Sequence, residues 1–152
     1  MRAKWLLAAP GLVLALGLAL AACGGDSGDG PERHGSELWE RESSFASAPS
    51  FLDDFSAGTR HLYSIVGDYR DIMQQIKCYC GCSDAGENSH KSLYRCYIAE
   101  EREDGVTWTD HAALCGICLE QLQYIEQWSK EGKSPDEIQR LMKEKYEPAA
   151  QA

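Results

Sequence analysis

Apolar residues recur at helical spacing in three stretches of the chain. Over residues 59–77 they lie three and four positions apart, which predicts a helix with one apolar face. A second helix is predicted over 108–130, with Thr107 or Thr109 as its N-cap and Gly132 as its stop. Each of these helices is expected to bury its apolar face in a common core.

The third helix is predicted over residues 135–147, and its first turn is well marked. Ser134 and Glu137 form a capping box, and Pro135 takes the first helical position. Pro148 is expected to end this helix, because proline lacks an amide hydrogen and its ring clashes with the preceding turn.

A shorter pattern lies between the first and second predicted helices. Leu93–Ile98 fits a short strand, and Asp104-Gly105 fits a turn into Val106-Thr107-Trp108. Residues 83–91 are rich in turn formers and predict a loop. The expected fold class is therefore mainly α, a small Cys-rich helical domain of about three helices with a long Cys-bearing loop and a short hairpin.

The first 22 residues have the pattern of an export signal. Arg2 and Lys4 provide a positive start, and the 18 uncharged residues from Trp5 to Ala22 follow. This run ends in Leu20-Ala21-Ala22-Cys23, which resembles the lipobox of bacterial lipoproteins, whose cysteine is lipid-modified after cleavage. A membrane-spanning anchor is the alternative, but a basic stop-transfer cluster does not follow the run. We therefore expect lipidation of Cys23 and location on the extracytoplasmic face of the cell membrane.

Composition divides the rest of the chain into three parts. Residues 23–50 are rich in Gly, Ser, Asp, Pro and Glu and predict a flexible tether, while 51–148 form the folded domain and 149–152 a tail. Loss of the signal leaves 13 basic residues against 24 acidic ones, a net charge of −11. Such a charge argues against nucleic acid as a partner, because phosphate binding needs basic patches.

The candidate chemistry is concentrated in six cysteines and two histidines. These residues are Cys78, Cys80, Cys82, Cys96, Cys115, Cys118, His90 and His111. The first three alternate along the chain, so an extended backbone would place them on one face. On the predicted second helix, His111, Cys115 and Cys118 stand at i, i+4 and i+7 and share a narrow wedge with the apolar residues Leu122 and Ile125. Both groups of thiols are therefore expected to meet in the interior.

Three interpretations compete for this cluster. Thiolates select soft ions, and six thiols with His111 and His90 exceed the needs of one tetrahedral zinc site, which favours Cu(I) bound by several sulfurs, with zinc as the alternative metal. Three structural disulfides would instead staple a small exported domain, and the sequence leaves their pairing open. Thiol–disulfide exchange is the third interpretation, because a Cys-x-x-Cys motif near a helix N-terminus can have a lowered pKa.

The motif set resembles that of the PCYCGC-motif proteins, exported bacterial proteins of uncharacterised function that often carry a lipoprotein signal. The matching residues are Cys78, Tyr79, Cys80, Gly81, Cys82, His90, Ser92, Cys96, Tyr97, Trp108, His111, Cys115, Cys118, Gly132, Lys133 and Ser134. Lys77 departs from the proline that the family name implies, which affects the rigidity of the junction after the first helix. Residues 124–146 also look like the end of CcmH-type cytochrome c maturation thiol oxidoreductases, and this weaker likeness implies a redox role.

The sequence thus predicts a membrane-anchored, Cys-rich metal-binding protein. Its expected role is that of a Cu(I)-thiolate chaperone, buffer or sensor, with an exported metal-receiving or thiol-bearing protein as its partner. A thiol–disulfide oxidoreductase acting on exported apoproteins is the alternative from another class, and a disulfide-stapled interaction module without chemistry is the third.

Overall fold

The computed structural model describes residues 30–82 and 90–150 of the chain. The helices in these ranges are α1 (Ala57–Ser64), α2 (Val66–Gln75), α3 (Gly116–Lys130) and α4 (Pro135–Ala150). The strands are β1 (Glu32–His34), β2 (Glu37–Glu42), β3 (Ile98–Arg102) and β4 (Gly105–Thr109). Turns of 3₁₀ helix lie at Ser50–Asp54, Leu93–Cys96 and Ala112–Leu114.

The four strands form one antiparallel sheet in the order β1-β2-β4-β3. The prediction of a mainly α fold with three helices is therefore wrong, since the described residues combine four helices with this sheet in a mixed α/β fold. Both β1 and β2 come from the segment predicted as a tether, and β2 pairs with β4 from Trp39 opposite Thr109 to Glu42 opposite Val106. The folded part consequently begins well before Phe51.

The sequence located the β3–β4 hairpin only in part. The turn at Asp104-Gly105 leads into β4 as predicted, but the preceding strand begins at Ile98. Residues Leu93–Cys96, expected to be in that strand, form a 3₁₀ turn instead. This tight turn places the Cys96 thiol in the interior, where it is fully buried.

All three predicted helices have different bounds in the structure. The first is divided into α1 and α2 at Ile65, which caps both. The second starts only at Gly116, because Gly105–Thr109 forms β4. The third begins at the predicted capping box, in which the Ser134 N–H donates to the Glu137 carboxylate at 2.8 Å, but it continues to Ala150 and is not ended by Pro148.

A buried tyrosine fixes the end of the sheet relative to the helices. The Tyr63 hydroxyl, on α1, donates to the Thr109 carbonyl at 2.7 Å and accepts a hydrogen bond from the Ala113 N–H at 3.1 Å. Tyr63 also packs against Trp108 and Tyr97 in the core. The chain between Thr109 and Ala113, which carries His111, is therefore held at both ends.

A candidate thiol-rich metal centre

Three thiols surround that of Cys78, in the interior between the helices and the 3₁₀ turn at Leu93–Cys96. The Cys78 Sγ lies 2.9 Å from the Cys80 Sγ, 3.1 Å from the Cys96 Sγ and 3.8 Å from the Cys118 Sγ. All four sulfurs lie within 4.8 Å of one another. Because two sulfurs bound to one ion by bonds of about 2.3 Å are at most about 5 Å apart, this inner group could hold a metal ion.

A second set of four donors overlaps the inner group. Cys80, His111, Cys115 and Cys118 also have ligand atoms within 4.8 Å of one another, and we call them the outer group. The His111 Nε2 lies 4.0 Å from the Cys80 Sγ. Cys80 and Cys118 thus belong to both groups, and the donors form one continuous cluster.

His90 provides a further donor at the edge of the cluster. His90, Cys96 and His111 form a third set whose ligand atoms lie within 4.8 Å of one another. The His90 Nε2 is 3.3 Å from the Glu37 carboxylate, whereas its Nδ1 is buried and has no hydrogen-bond partner in the described structure. A neutral histidine that donates through Nε2 has its lone pair on Nδ1, which is the form that binds metals.

The segment that carries the first three thiols is extended and is held by its neighbours. It leaves α2 at Ile76, whose carbonyl accepts a hydrogen bond from the Leu93 N–H at 2.8 Å. Gly81 has a φ of 86°, a left-handed conformation that favours glycine, and it turns the chain between Cys80 and Cys82. The turn lets Cys80 remain in the cluster while Cys82 lies nearer the surface.

Gln121, a fully buried polar residue of α3, holds this segment on both sides of Cys78. Its Nε2 donates to the Lys77 carbonyl at 3.0 Å, and its Oε1 accepts from the Tyr79 N–H at 3.2 Å. The hydrogen bond to Lys77 fixes the junction between α2 and the thiol-bearing segment. Gln121 therefore positions the Cys78 thiol.

We expect Gln121→Leu to destabilise the protein and to weaken metal binding at Cys78. The substitution leaves the Lys77 carbonyl and the Tyr79 N–H without their side-chain partner, and loss of a hydrogen bond costs about 0.5–1.5 kcal/mol where the groups are partly buried. Thermal unfolding and metal affinity would both be measured. Gln127→Leu, on an exposed turn of the same helix, is the control, and an equal effect of both variants would contradict the positioning role.

Glu37 is a buried carboxylate behind the two histidines, and the sequence analysis did not identify it. Its Oε1 lies 3.1 Å from the His111 Nδ1 and 3.3 Å from the His90 Nε2. Its Oε2 accepts hydrogen bonds from the Thr109 hydroxyl at 2.9 Å and the Trp39 indole at 3.1 Å. A carboxylate that accepts from one ring nitrogen orients the other toward a metal, an arrangement common at metal sites.

Glu37 and His111 each stabilise the charged form of the other. Burial alone would raise the pKa of Glu37, but hydrogen bonds from His111, Trp39 and Thr109 and the charge of His90 lower it to about 2. The hydrogen bond to Glu37 in turn raises the pKa of His111 to about 9, against the effect of burial. Glu37 is therefore an anion at neutral pH, and a metal bound at the His111 Nε2 would displace a proton.

Hydrogen bonds between the thiols lower the pKa of two of them, Cys78 and Cys80. Hydrogen bonds from Cys118 and Cys96 lower the pKa of Cys78 despite its burial. A hydrogen bond from Cys96 is the main cause that lowers the pKa of Cys80 to about 5. Both pKa shifts favour the thiolate, which is the form that binds metal.

The outer group faces a surface cavity of about 540 Å³. Cys82, His111 and Cys115 line it, together with the apolar side chains of Leu114 and Ile117. Leu114 is 68% exposed and Ile117 is 38% exposed, which is unusual for large apolar residues in the described part of the chain. The cavity gives solvent and solutes access to the outer thiols.

The predicted convergence of the thiols is confirmed for Cys78, Cys80, Cys96, Cys115 and Cys118, although one of its premises was wrong. His111 does not share a helix with the two later cysteines, because it precedes the 3₁₀ turn Ala112–Leu114, and Cys115 is the N-cap of α3. Cys82 belongs to none of the three donor sets. All six cysteines in residues 30–82 and 90–150 are free, so these residues give no support to the alternative of a disulfide staple.

Comparison with known protein families gives a match over most of the chain. A family model described as "Protein of unknown function with PCYCGC motif" matches residues 12–151, which include all the thiols and histidines of the cluster. No curated protein and no solved structure matches the chain.

Proposed function

The chain belongs to the family of proteins of unknown function with a PCYCGC motif, and we propose that it binds Cu(I) as a chaperone, buffer or sensor outside the cell membrane. The observation that carries this proposal is the position of the Cys78 Sγ, within 3.8 Å of three other unpaired sulfurs. Such a buried set of thiols is costly to hold together without a ligand, because thiolate charge is poorly solvated in the interior.

The donor set supports Cu(I) over zinc. Five thiols and two histidines lie in the overlapping donor sets, more than the four ligands of a structural zinc site. Soft thiolate ligands select Cu(I), and imidazole is an acceptable companion. All four donors of the inner group are sulfur atoms, so this group favours Cu(I), the softer of the two ions.

Anaerobic titration of the full chain in detergent tests the proposal. We expect Cu(I) to bind stoichiometrically, to protect the five thiols of the donor sets from alkylation and to be displaced poorly by Zn²⁺. The absence of metal uptake by a fully reduced protein would overturn the proposal. A preference for Zn²⁺ over Cu(I) in direct competition would overturn the choice of metal alone.

We also propose that Cys23 anchors the protein to the membrane through lipid. Cys23 and the predicted signal lie outside the described residues, and within the described ranges no helix has the length and apolarity needed to span a bilayer. The support for this proposal is the sequence Leu20-Ala21-Ala22-Cys23 at the end of an apolar run.

Cys23→Ser is expected to leave the signal uncut and to abolish lipid labelling. Mass spectrometry of the N-terminus and metabolic labelling with a fatty acid analogue would measure both effects in cells. Cys82→Ser, which lies far along the chain from the proposed cleavage site, is the control. An uncut, membrane-bound protein in both the parent and the Cys23→Ser variant would favour a spanning anchor instead.

Thiol–disulfide exchange is the second candidate, favoured by one observation. Cys115 is partly exposed at the N-terminus of α3, and Cys118 is buried one turn further on. In this activity a Cys115–Cys118 disulfide would be reduced while a dithiol of an exported protein is oxidised. Incubation of the oxidised protein with a reduced dithiol peptide would reveal it, and Cys115→Ser would abolish the exchange.

A further inference from the structure

The inner and outer groups differ in their access to solvent. Cys78 and Cys96, which belong to the inner but not the outer group, are fully buried. His111 and Cys115, which belong to the outer but not the inner group, are partly exposed and line the surface cavity. The cluster therefore has a closed side and an open side.

We propose that the cluster holds two soft metal ions with different roles, a retained ion in the inner group and an exchangeable ion in the outer group. Cys80 and Cys118 bridge the two ions, because each belongs to both groups. The inner ion stabilises the fold, and the outer ion is the cargo. This inference rests on the proposed metal-binding function and assigns the position from which metal is delivered.

The contacts of the inner group explain why its ion is retained. The Cys78 segment is fixed by Gln121, and Cys96 sits in the 3₁₀ turn whose Leu93 N–H is bonded to Ile76. An ion bound there links the segment after α2, this turn and α3, so its release requires these parts of the chain to separate. Metal binding that joins elements in this way contributes directly to folding free energy.

The outer group is arranged for ligand exchange. A thiol of a receiving protein can approach through the cavity and attack an ion that Cys115 and His111 hold, without disturbing Cys78. Cys82 lines the same cavity and offers a further sulfur beside the path. The exposed Leu114 and Ile117 lie at the rim, where apolar contact would stabilise a docked thiol-bearing partner.

Metal stoichiometry and release kinetics test the proposal together. The reduced full chain is loaded with Cu(I), and the ions are then removed by an excess of a chromophoric Cu(I) chelator. We expect two ions per chain, released in a fast and a slow phase of equal amplitude. Cys115→Ser is expected to bind one ion and to lose the fast phase. Gln127→Leu, an exposed position of α3 outside the cavity lining, is the control and is expected to retain both ions and both phases.

The outcomes separate this inference from the proposed function. Binding of a single ion by both the parent chain and Cys115→Ser would overturn the inference and leave the proposed function standing. Release of two ions in a single phase would overturn the assignment of one retained and one exchangeable ion. Failure to bind Cu(I) at all would overturn the proposed function itself. If Cys115→Ser unfolds at the assay temperature, His111→Gln serves as the second outer-group variant, with the same expected loss of the fast phase.

Discussion

Replacement of Cys78 by serine is expected to abolish high-affinity Cu(I) binding in the inner group. Cys78 is the sulfur that contacts Cys80, Cys96 and Cys118 directly. A serine hydroxyl is nearly the same size but stays protonated at neutral pH, so the inner group loses a thiolate ligand. The fall in affinity should exceed the roughly 10- to 100-fold that loss of a residue behind the ligands typically causes.

Competition against a chromophoric Cu(I) chelator would measure this fall in affinity. Cys82→Ser makes the same chemical change at a thiol outside the donor sets, and it should lower affinity far less than Cys78→Ser. Thermal unfolding of both metal-free variants shows whether either substitution disturbs the fold. If Cys78→Ser and Cys82→Ser bind Cu(I) with equal affinity, Cys78 is not the central ligand of the site.

The sequence predicted which residues form the cluster, but it predicted less well the strands and helices that bring them together. Thiol density and the Cys115-x-x-Cys118 spacing identify a cluster whatever the local conformation. The helical wedge of His111, Cys115 and Cys118 was plausible from spacing alone, but β4 continues to Thr109 and α3 starts only at Gly116. His111 reaches the cluster because Tyr63 holds the chain on both sides of it.

Strands β1 and β2 were missed because β2 carries buried acidic residues. Glu37 is 6% exposed and Glu40 is 5% exposed, whereas pattern rules place glutamate at the surface. Glu40 accepts hydrogen bonds from the backbone N–H groups of Ser50 and Phe51 at 2.8 and 3.2 Å. Burial of a charge is tolerated only with such partners, and the partners come from distant positions that local patterns do not reveal.

Local sequence patterns also could not decide whether the residues near 107 form a strand or the start of a helix. Thr107 can cap a helix, but Val106, Thr107 and Trp108 also have high strand propensity. Pairing with β2 decides between these alternatives, since Thr107 lies opposite Arg41 in the sheet. The failure to identify β2 therefore led directly to the wrong start of the second helix.

Glu37→Gln is the second substitution with a large expected effect, and it is expected to lower Cu(I) affinity by about 10- to 100-fold. The carboxylate uses Oε1 for both histidines and Oε2 for Thr109 and Trp39. A glutamine has one oxygen and one NH₂ group, so it can accept from one of these pairs but not from both. His111 and His90 then lose either their orientation or their anionic partner.

Glu40→Gln is the matched control for this prediction, because Glu40 is buried on the same strand and contacts none of the cluster. Both variants should lower the free energy of unfolding of the metal-free protein by about 1–3 kcal/mol, since each leaves a buried donor unsatisfied. Only Glu37→Gln should also lower Cu(I) affinity. If both variants bind Cu(I) with the parent affinity, the histidines are not ligands; if both lose affinity in proportion to stability, Glu37 acts only through the fold.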